Sequence, residues 1–121
     1  MRGERDITDY LRDILEAAQN AQEFLGDSGY DDFVDDTKTV YAVVRALEIV
    51  GEATRHIPDS VRQRYPNIAW RRMTGTRDRL IHDYPEVDLA QVFLTVRDDL
   101  PGLFPAIKQV LAEIEAAGGK A

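Results

Sequence analysis

The C-terminal third of the chain carries one apolar stripe that keeps a single helical register through Pro101. A separate helix starting at Pro101 would share that phase only by chance. The pattern therefore predicts one long helix, capped by Asp88, kinked at the proline and ended by Gly118 and Gly119. No segment shows the period-two alternation typical of strands, so the chain is constrained to helices. The stripe consists of Leu89, Val92, Phe93, Val96, Leu100, Leu103, Phe104, Ile107, Val110, Leu111 and Ile114.

Two amphipathic helices are predicted in the N-terminal half. The first follows an Asp6 cap, stops at Gly26 and has one apolar side. The second starts between Asp31 and Asp36, runs to about His56 and is apolar on two faces. A helix with two apolar faces needs two neighbours, and in so small a domain the second neighbour could be another copy of the chain. The second face consists of Ala42, Ala46, Ile49 and Ala53.

Prolines delimit the remaining helices. Pro58 and Pro66 bound a short helix, and a longer helix follows that ends before Pro85, because the residue before a proline is disfavoured in the α region. The chain is therefore predicted to be a single all-α domain over residues 1–121, a bundle of four main helices and one short helix. The candidate caps are Asp59 or Ser60 for the short helix and Asn67 for the longer one.

Composition and charge narrow the function classes. The chain has no cysteine and a net charge of −7, so thiol chemistry is excluded and general affinity for nucleic-acid backbone is not expected. Residues 1–40 carry eleven acids and four bases, whereas residues 55–79 carry seven arginines and two aspartates. A local anion site at these arginines is therefore compatible with the negative net charge of the chain. The arginines could equally be solvated or paired with the acidic segment 1–40. We expect a cytoplasmic protein, since no apolar signal region or membrane span is apparent.

The octet from Arg77 to Tyr84 contains most of the candidate chemistry. Arg77 and Tyr84 fall on the apolar stripe of their helix, next to Trp70 and Met73. An arginine there must be paired or must face a cleft, because an unpaired buried guanidinium is very costly. The alternatives are a functional site and a structural arginine paired with an acid of another helix. By pattern alone, Trp70 is a core anchor and Tyr84 a packed aromatic residue.

His82 is one of two histidines and projects about 140° from Arg77 around the helix. For a lone histidine on a helix, the ordinary interpretation is a surface residue or a charge at the helix C-terminus. Asp78, one turn earlier, is placed to hold a ring nitrogen of His82. On one straight helix Arg77 and His82 converge poorly on a small group. They could converge if the last turn before Pro85 unwinds or if two chains each supply half of a site.

No metal site is predicted. Glu52 and His56 have the spacing of two ligands on one helix turn, but no third ligand is suggested and both fit the polar seam of their helix. The sequence therefore predicts a protein that uses neither a metal nor another cofactor.

The pattern Arg77-x4-His82-x-Tyr84 resembles the signature of HEPN domains, in the form found in HepT-like toxins. The resemblance extends to the flanking stretches at 50–53, 66–70 and 99–101, and to the helix order, so it covers nearly the whole chain. It implies a homodimeric HEPN-type helical bundle. It also implies a metal-independent endoribonuclease toxin, encoded beside a small nucleotidyltransferase of the MntA type that acts as its antitoxin.

The resemblance assigns roles to residues of the octet. Arg77 and His82 would be catalytic and would meet across the dimer, Asp78 would support His82, and Tyr84 would accept AMP from the partner. A non-catalytic dimeric HEPN module that binds a nucleotidyltransferase and a nucleotide is the alternative. Neighbouring arginines are candidate phosphate contacts to RNA, namely Arg71, Arg72 and Arg79.

Overall fold

The computed structural model describes residues 5–82 and 87–118, apart from the side chains of residues 81 and 82, and this part of the chain is helical without strands. The elements are α1 (Ile7–Leu25), α2 (Tyr30–Asp35), α3 (Thr37–Thr54), α4 (Asp59–Arg64), α5 (Trp70–His82), α6 (Leu89–Leu94), a π-helical turn (Thr95–Asp99) and α7 (Leu100–Ala116). The predicted all-α bundle is confirmed. No helix in the described ranges is long and apolar enough to cross a membrane.

The four main helices pack in the order α5, α3, α1, α7, with α3 between α1 and α5 and with α1 also against α7. Each contributes its apolar stripe to one core, which is the arrangement expected of amphipathic helices in a small bundle. The largest fully buried side chains come from five elements and are Phe33, Leu11, Ile14, Leu25, Leu47, Ile107, Ile114, Val43, Val61 and Val110.

Helix caps predicted from the sequence fix several boundaries. Asp6 forms a capping box with Asp9, and Asp88 accepts a hydrogen bond from the backbone N–H of Gln91. Gly26 ends α1 with a φ of 56°, a left-handed conformation that glycine adopts without strain. The hydrogen bonds from Thr8 and from the Asp9 backbone hold the pKa of Asp6 below its ordinary value, because they favour the carboxylate.

The predicted second helix is in fact two helices, α2 and α3. Asp36 separates them with a φ of −99° and a ψ of 88°, and its carboxylate accepts hydrogen bonds from the backbone N–H and the hydroxyl of Thr39. The same two bonds lower the pKa of Asp36. An aspartate that caps a new helix start satisfies the orphan N–H groups that a continuous helix would not have.

The two apolar faces of α3 are largely covered within one chain. Ala46 and Ala53 are buried, while Ala42 and Ile49 are half-buried beside α1. The second neighbour of α3 is therefore α1, and the opposite face receives α5. The two apolar faces of α3 are thus explained without a dimer, and the homodimer remains a prediction from the family resemblance.

The segment before α5 also differs from the prediction. Asn67 lies in a turn and does not cap α5, which begins at Trp70. The indole N–H of Trp70 donates to the carbonyl of Tyr65 at 3.1 Å, and the backbone N–H of Met73 donates to the carbonyl of Ala69. The buried indole therefore ties the turn to the helix start. The short helix α4 begins after Pro58 and has no side-chain cap, so neither Asp59 nor Ser60 plays that part.

The C-terminal helix is continuous from Leu89 to Ala116, as the unbroken stripe predicted. Its irregularity is the π-helical turn Thr95–Asp99, which lies just before Pro101 and takes the place of a simple kink at the proline. A π turn absorbs an irregularity of hydrogen bonding without breaking the helix, and such turns are frequent at functional sites. Gly118 follows the end of α7 with a φ of 94°.

Gly51 allows the closest approach between α3 and α5. A Cβ atom at this position would overlap the Cβ of Arg77 and would lie 3.0 Å from the carbonyl oxygen of Met73 and 3.1 Å from the Cα of Arg77. Two of these three neighbours are backbone atoms, so the obstacle does not move away easily. The glycine therefore sets the separation of the two helices at the level of Arg77.

We expect Gly51→Ala and Gly75→Ala to shift the free energy of unfolding in opposite directions. Gly51→Ala should lower it by about 1–3 kcal/mol, because α3 and α5 must move apart. Gly75 lies inside α5, and a Cβ atom there would have Nη1 of Arg79 as its nearest neighbour, at 4.0 Å, so alanine fits without strain. Gly75→Ala should raise the stability by about 0.5–1 kcal/mol through helix propensity.

Urea denaturation followed by circular dichroism measures both variants. Equal stability of Gly51→Ala and the unsubstituted protein would contradict the tight contact.

Candidate functional site

Arg77 projects from the middle of α5 toward α3, at the point where Gly51 brings the two helices together. Its side chain is 27% exposed, so it is neither buried in the core nor fully solvated. The Nε atom lies 3.1 Å from Oε1 of Glu52, and Nη1 lies 3.4 Å from Oδ1 of Asp78. The arginine is therefore paired, as its place on the stripe required: a carboxylate of another helix neutralises it, while part of the guanidinium remains accessible.

Glu52 is the centre of a cluster of basic side chains. Besides Arg77, its carboxylate meets Nη1 of Arg55 and Nε2 of His56, each at 3.5 Å. The ring of His56 stacks on that of Tyr10 with 4.3 Å between the centroids and an angle of 7° between the planes. The carboxylate of Glu52 thus faces two guanidinium groups and an imidazole, and Asp78 is a second acid at Arg77.

That cluster does not resemble a metal site. The ligand pair considered from the sequence, Glu52 and His56, lies among guanidinium groups that would repel a cation. Among the described residues there is no group of three or more metal-ligating side chains.

His82 is the last residue of α5, and its backbone is still α-helical. Unwinding of the helix before His82 therefore does not bring it toward Arg77. The ring of His82 and the whole of Tyr84 fall outside the described part of the chain, so their predicted roles stay predictions. Unwinding of the chain between His82 and Pro85 lies outside the described residues, and a site assembled from two chains also stays a prediction.

Asp78 was predicted to support His82, one turn later on α5. In the described part of the chain its carboxylate contacts Nη1 of Arg77 and is itself about half exposed. Asp78 therefore contributes to the electrostatics of Arg77, and its predicted contact with His82 stays a prediction.

The other arginines of α5 lie on a different side of the helix from Arg77. Arg72 pairs with Asp99 of the π turn at 3.1 Å, and Nη2 of Arg79 donates to the hydroxyl of Thr76 at 3.4 Å. Both line a groove between α5 and the C-terminal helix, formed by two adjoining cavities of about 340 and 450 Å³. Arg71 is exposed. The residues common to the two cavities are Leu47, Arg72, Thr76, Arg79, Gln91 and Thr95.

These contacts also show which acids neutralise the arginines of residues 55–79. The ion-pair partners of Arg55, Arg72 and Arg77 lie in α3, α5 and the π turn. Among the described ion pairs, none joins the arginines of residues 55–79 to the acidic segment 1–40. The acidic segment is therefore not what neutralises them in this structure.

Two residues of the site were not identified from the sequence. Glu52 was weighed there only as a possible metal ligand and as part of a polar seam, and Gly51 lay within the flanking stretch 50–53 without a role of its own. The sequence signal that could have found them is Glu52 directly following Gly51. A glycine inside a helix often marks a close approach of two helices, and the next residue then lies beside that approach.

Comparisons with known proteins relate the chain to one family. A family described as "Ribonuclease HepT-like" matches residues 14–110. A Thermococcus cleftensis protein named "Probable ribonuclease HepT" is 46% identical over 99 residues, which cover 82% of this chain and 90% of that protein. A Methanocaldococcus jannaschii protein named "Putative RNase MJ1380" is 42% identical over 97 residues, covering 80% of this chain and 89% of that protein.

A second Methanocaldococcus jannaschii protein, "Putative RNase MJ1216", is 37% identical over 111 residues and covers 92% of both chains. No solved structure gives a significant match. The family match spans most of the chain, including α3, α5 and the Arg77–His82 motif. The chain therefore belongs to the HepT-like ribonuclease family.

Proposed function

We propose that the protein is a metal-independent endoribonuclease whose active site is assembled from Arg77 and His82 of two identical chains. The observation that carries this proposal is the state of Arg77, which is held against α3 by Glu52 yet remains partly accessible. An arginine in that state can bind the non-bridging oxygens of a phosphodiester. Membership of a ribonuclease family supplies the reaction class.

The proposed reaction is an internal transesterification. His82 of one chain removes the proton of a ribose 2′-hydroxyl, whose oxygen attacks the adjacent phosphorus. The bond from phosphorus to the 5′ oxygen breaks, and His82 of the other chain gives that oxygen its proton. Arg77 stabilises the charge that develops on the phosphoryl oxygens. The products are a 2′,3′-cyclic phosphate and a 5′-hydroxyl.

Two chains are needed because Arg77 and His82 lie about 140° apart on a regular helix. A symmetric dimer would place one α5 opposite the other and allow the two motifs to share a cleft. The groove arginines Arg72 and Arg79, together with the exposed Arg71, are proposed to contact the RNA backbone beside that cleft.

The proposed biological role is that of a toxin kept inactive by a small nucleotidyltransferase of the MntA type. This partner would transfer AMP from ATP to the phenolic oxygen of Tyr84. A bond from that oxygen to the α-phosphorus forms, the bond between the α- and β-phosphates breaks, and pyrophosphate leaves. The added phosphate, two residues from His82, would repel RNA by its charge and block it by its bulk.

The alternative is a non-catalytic dimeric module that binds the nucleotidyltransferase and a nucleotide phosphate through the same two residues. The net charge of −7 favours it, since RNA binding gains from a positive surface. Growth arrest on expression of this chain alone would distinguish the ribonuclease from the binding module.

We expect His82→Ala and Arg77→Ala each to abolish RNA cleavage and toxicity. Loss of a proton-transfer group typically slows a reaction by about 10²–10⁴-fold. EDTA should leave the rate of the unsubstituted protein unchanged. The measurement is cleavage of a labelled RNA by purified protein, with Arg45→Ala as the matched control, because Arg45 is a 70% exposed arginine of α3 whose partner is Glu48.

Cleavage by His82→Ala at the normal rate would refute the assignment. Light scattering that gave the mass of a single chain at micromolar concentration, in a sample that cleaves RNA, would refute the composite site.

We expect co-expression with the nucleotidyltransferase partner to add the mass of AMP to the unsubstituted protein and to Tyr41→Phe, but not to Tyr84→Phe. Tyr41 is the matched control because it is 70% exposed and therefore a chemically accessible phenol. Tyr84→Phe keeps the ring and removes the acceptor oxygen, so it should stay toxic in the presence of the partner. Intact-mass spectrometry reads the adduct directly, and an adduct that persists on Tyr84→Phe would show that another residue is the acceptor.

A further inference from the structure

Glu52 makes the contact that fixes the orientation of the motif arginine. The carboxylate lies on α3 and meets Nε of Arg77 on α5, so the contact crosses between the two helices that Gly51 brings together. A guanidinium is a rigid planar fork, so an ion pair at Nε, together with the hydrogen bond that Nη1 donates to Asp78, restricts where the two Nη atoms lie. Among the described contacts, the only other acid at this guanidinium is Asp78, at Nη1 and 3.4 Å.

We propose that Glu52 is a positioning residue for RNA cleavage, which holds Arg77 through Nε so that its Nη atoms are presented to the scissile phosphate. This inference rests on the proposed ribonuclease function. Glu52 itself does not touch the RNA or exchange a proton in this account. Its effect reaches the reaction only through Arg77.

A purely stabilising role explains Glu52 less well. Its side chain is 48% exposed, and exposed ion pairs contribute little to stability because water screens them. Its neighbour Gly51 already sets the distance between the helices by steric contact. The ion pair adds a rotational constraint on the guanidinium, which packing alone does not provide.

The negative charge of Glu52 distinguishes a role in positioning Arg77 from a role in binding RNA. Glu52 is an acid next to the group that meets the phosphate, so its removal makes the surroundings more positive and should not weaken binding of RNA. The same change leaves Arg77 free to rotate, and small misplacement of a catalytic group is costly in rate. Loss of Glu52 should therefore lower kcat while KM stays constant or falls.

The test uses the full-length protein and a mixed-sequence RNA oligonucleotide that carries a fluorophore and a quencher. Glu52→Gln keeps the length and one acceptor oxygen but loses the charge, so kcat should fall about tenfold. Glu52→Ala keeps neither, and kcat should fall about a hundredfold. Glu48→Gln is the matched control, because Glu48 lies one turn earlier on α3 and pairs with Arg45. Its kcat should match that of the unsubstituted protein.

Thermal melting of the same variants separates positioning from folding. The expected pattern is a reduced kcat, an unchanged or lower KM and a melting temperature close to that of Glu48→Gln. Values of kcat for both Glu52 variants within about twofold of the unsubstituted protein would overturn the proposal. A rise in KM without loss of kcat would also overturn it, because Glu52 would then act on binding.

An independent readout is the Nε–H resonance of Arg77 in a ¹H–¹⁵N spectrum, recorded without RNA. Slow exchange of this proton in the unsubstituted protein and fast exchange in Glu52→Gln would support the contact. Equal exchange in both would refute it, whatever the activity. Protected Nε–H in a protein that cleaves no RNA would instead refute the ribonuclease function, so the two failures are distinguishable.

Discussion

The close contact of α3 with α5 at Gly51 is the constraint on which the candidate site depends. Without a side chain at this position, the backbone of α5 lies within van der Waals distance of α3 beside Arg77. The acid that follows Gly51 on α3 then reaches Nε of Arg77 at 3.1 Å. Packing and electrostatics are therefore coupled at one point. The glycine sets the separation of the two helices, and at that separation the carboxylate of Glu52 reaches the arginine.

The charge distribution follows from the same arrangement. A chain with a net charge of −7 is a poor general ligand for RNA, yet α5 and its surroundings carry a local excess of arginine. The described partners of these arginines are few and partly exposed, so the positive potential of the region is reduced but not cancelled. A confined positive cleft within an acidic surface would favour contact with RNA at the site over contact elsewhere on the protein.

Helical periodicity was enough to predict the fold class and most of the helix boundaries, because the main helices bury apolar stripes whose period is visible in one sequence. The unbroken phase through Pro101 correctly indicated one long helix, while the π turn that accommodates the proline was not predicted. Asp36 was the later bound of the predicted start of the second helix, and α3 begins directly after it, but the separate helix α2 was not predicted, because the apolar pattern around Asp36 is compatible with one helix. The double stripe of α3 could not reveal which neighbour covers each face, since a single sequence does not distinguish α1 from a second chain.

The candidate site was predicted in part. Arg77 was expected to be paired or to face a cleft, because its position on an apolar stripe made an unpaired buried charge too costly, and the structure shows it paired. The partner itself, Glu52, lies 25 residues earlier and becomes visible only when the packing of α3 against α5 is known. The relation between Arg77 and His82 stays a prediction, and helix geometry indicates only that the two side chains project about 140° apart on one regular helix.

The central claim is that the protein cleaves RNA through the ribose 2′-hydroxyl at a site built around Arg77. The most direct measurement compares an RNA oligonucleotide with the same molecule carrying a single 2′-deoxy nucleotide at the cleaved position, both with purified protein in EDTA. The account predicts that the RNA yields a 2′,3′-cyclic phosphate and a 5′-hydroxyl end, and that the substituted molecule resists cleavage at that bond. Cleavage of the 2′-deoxy position at a comparable rate, or products with 5′-phosphate ends, would contradict it.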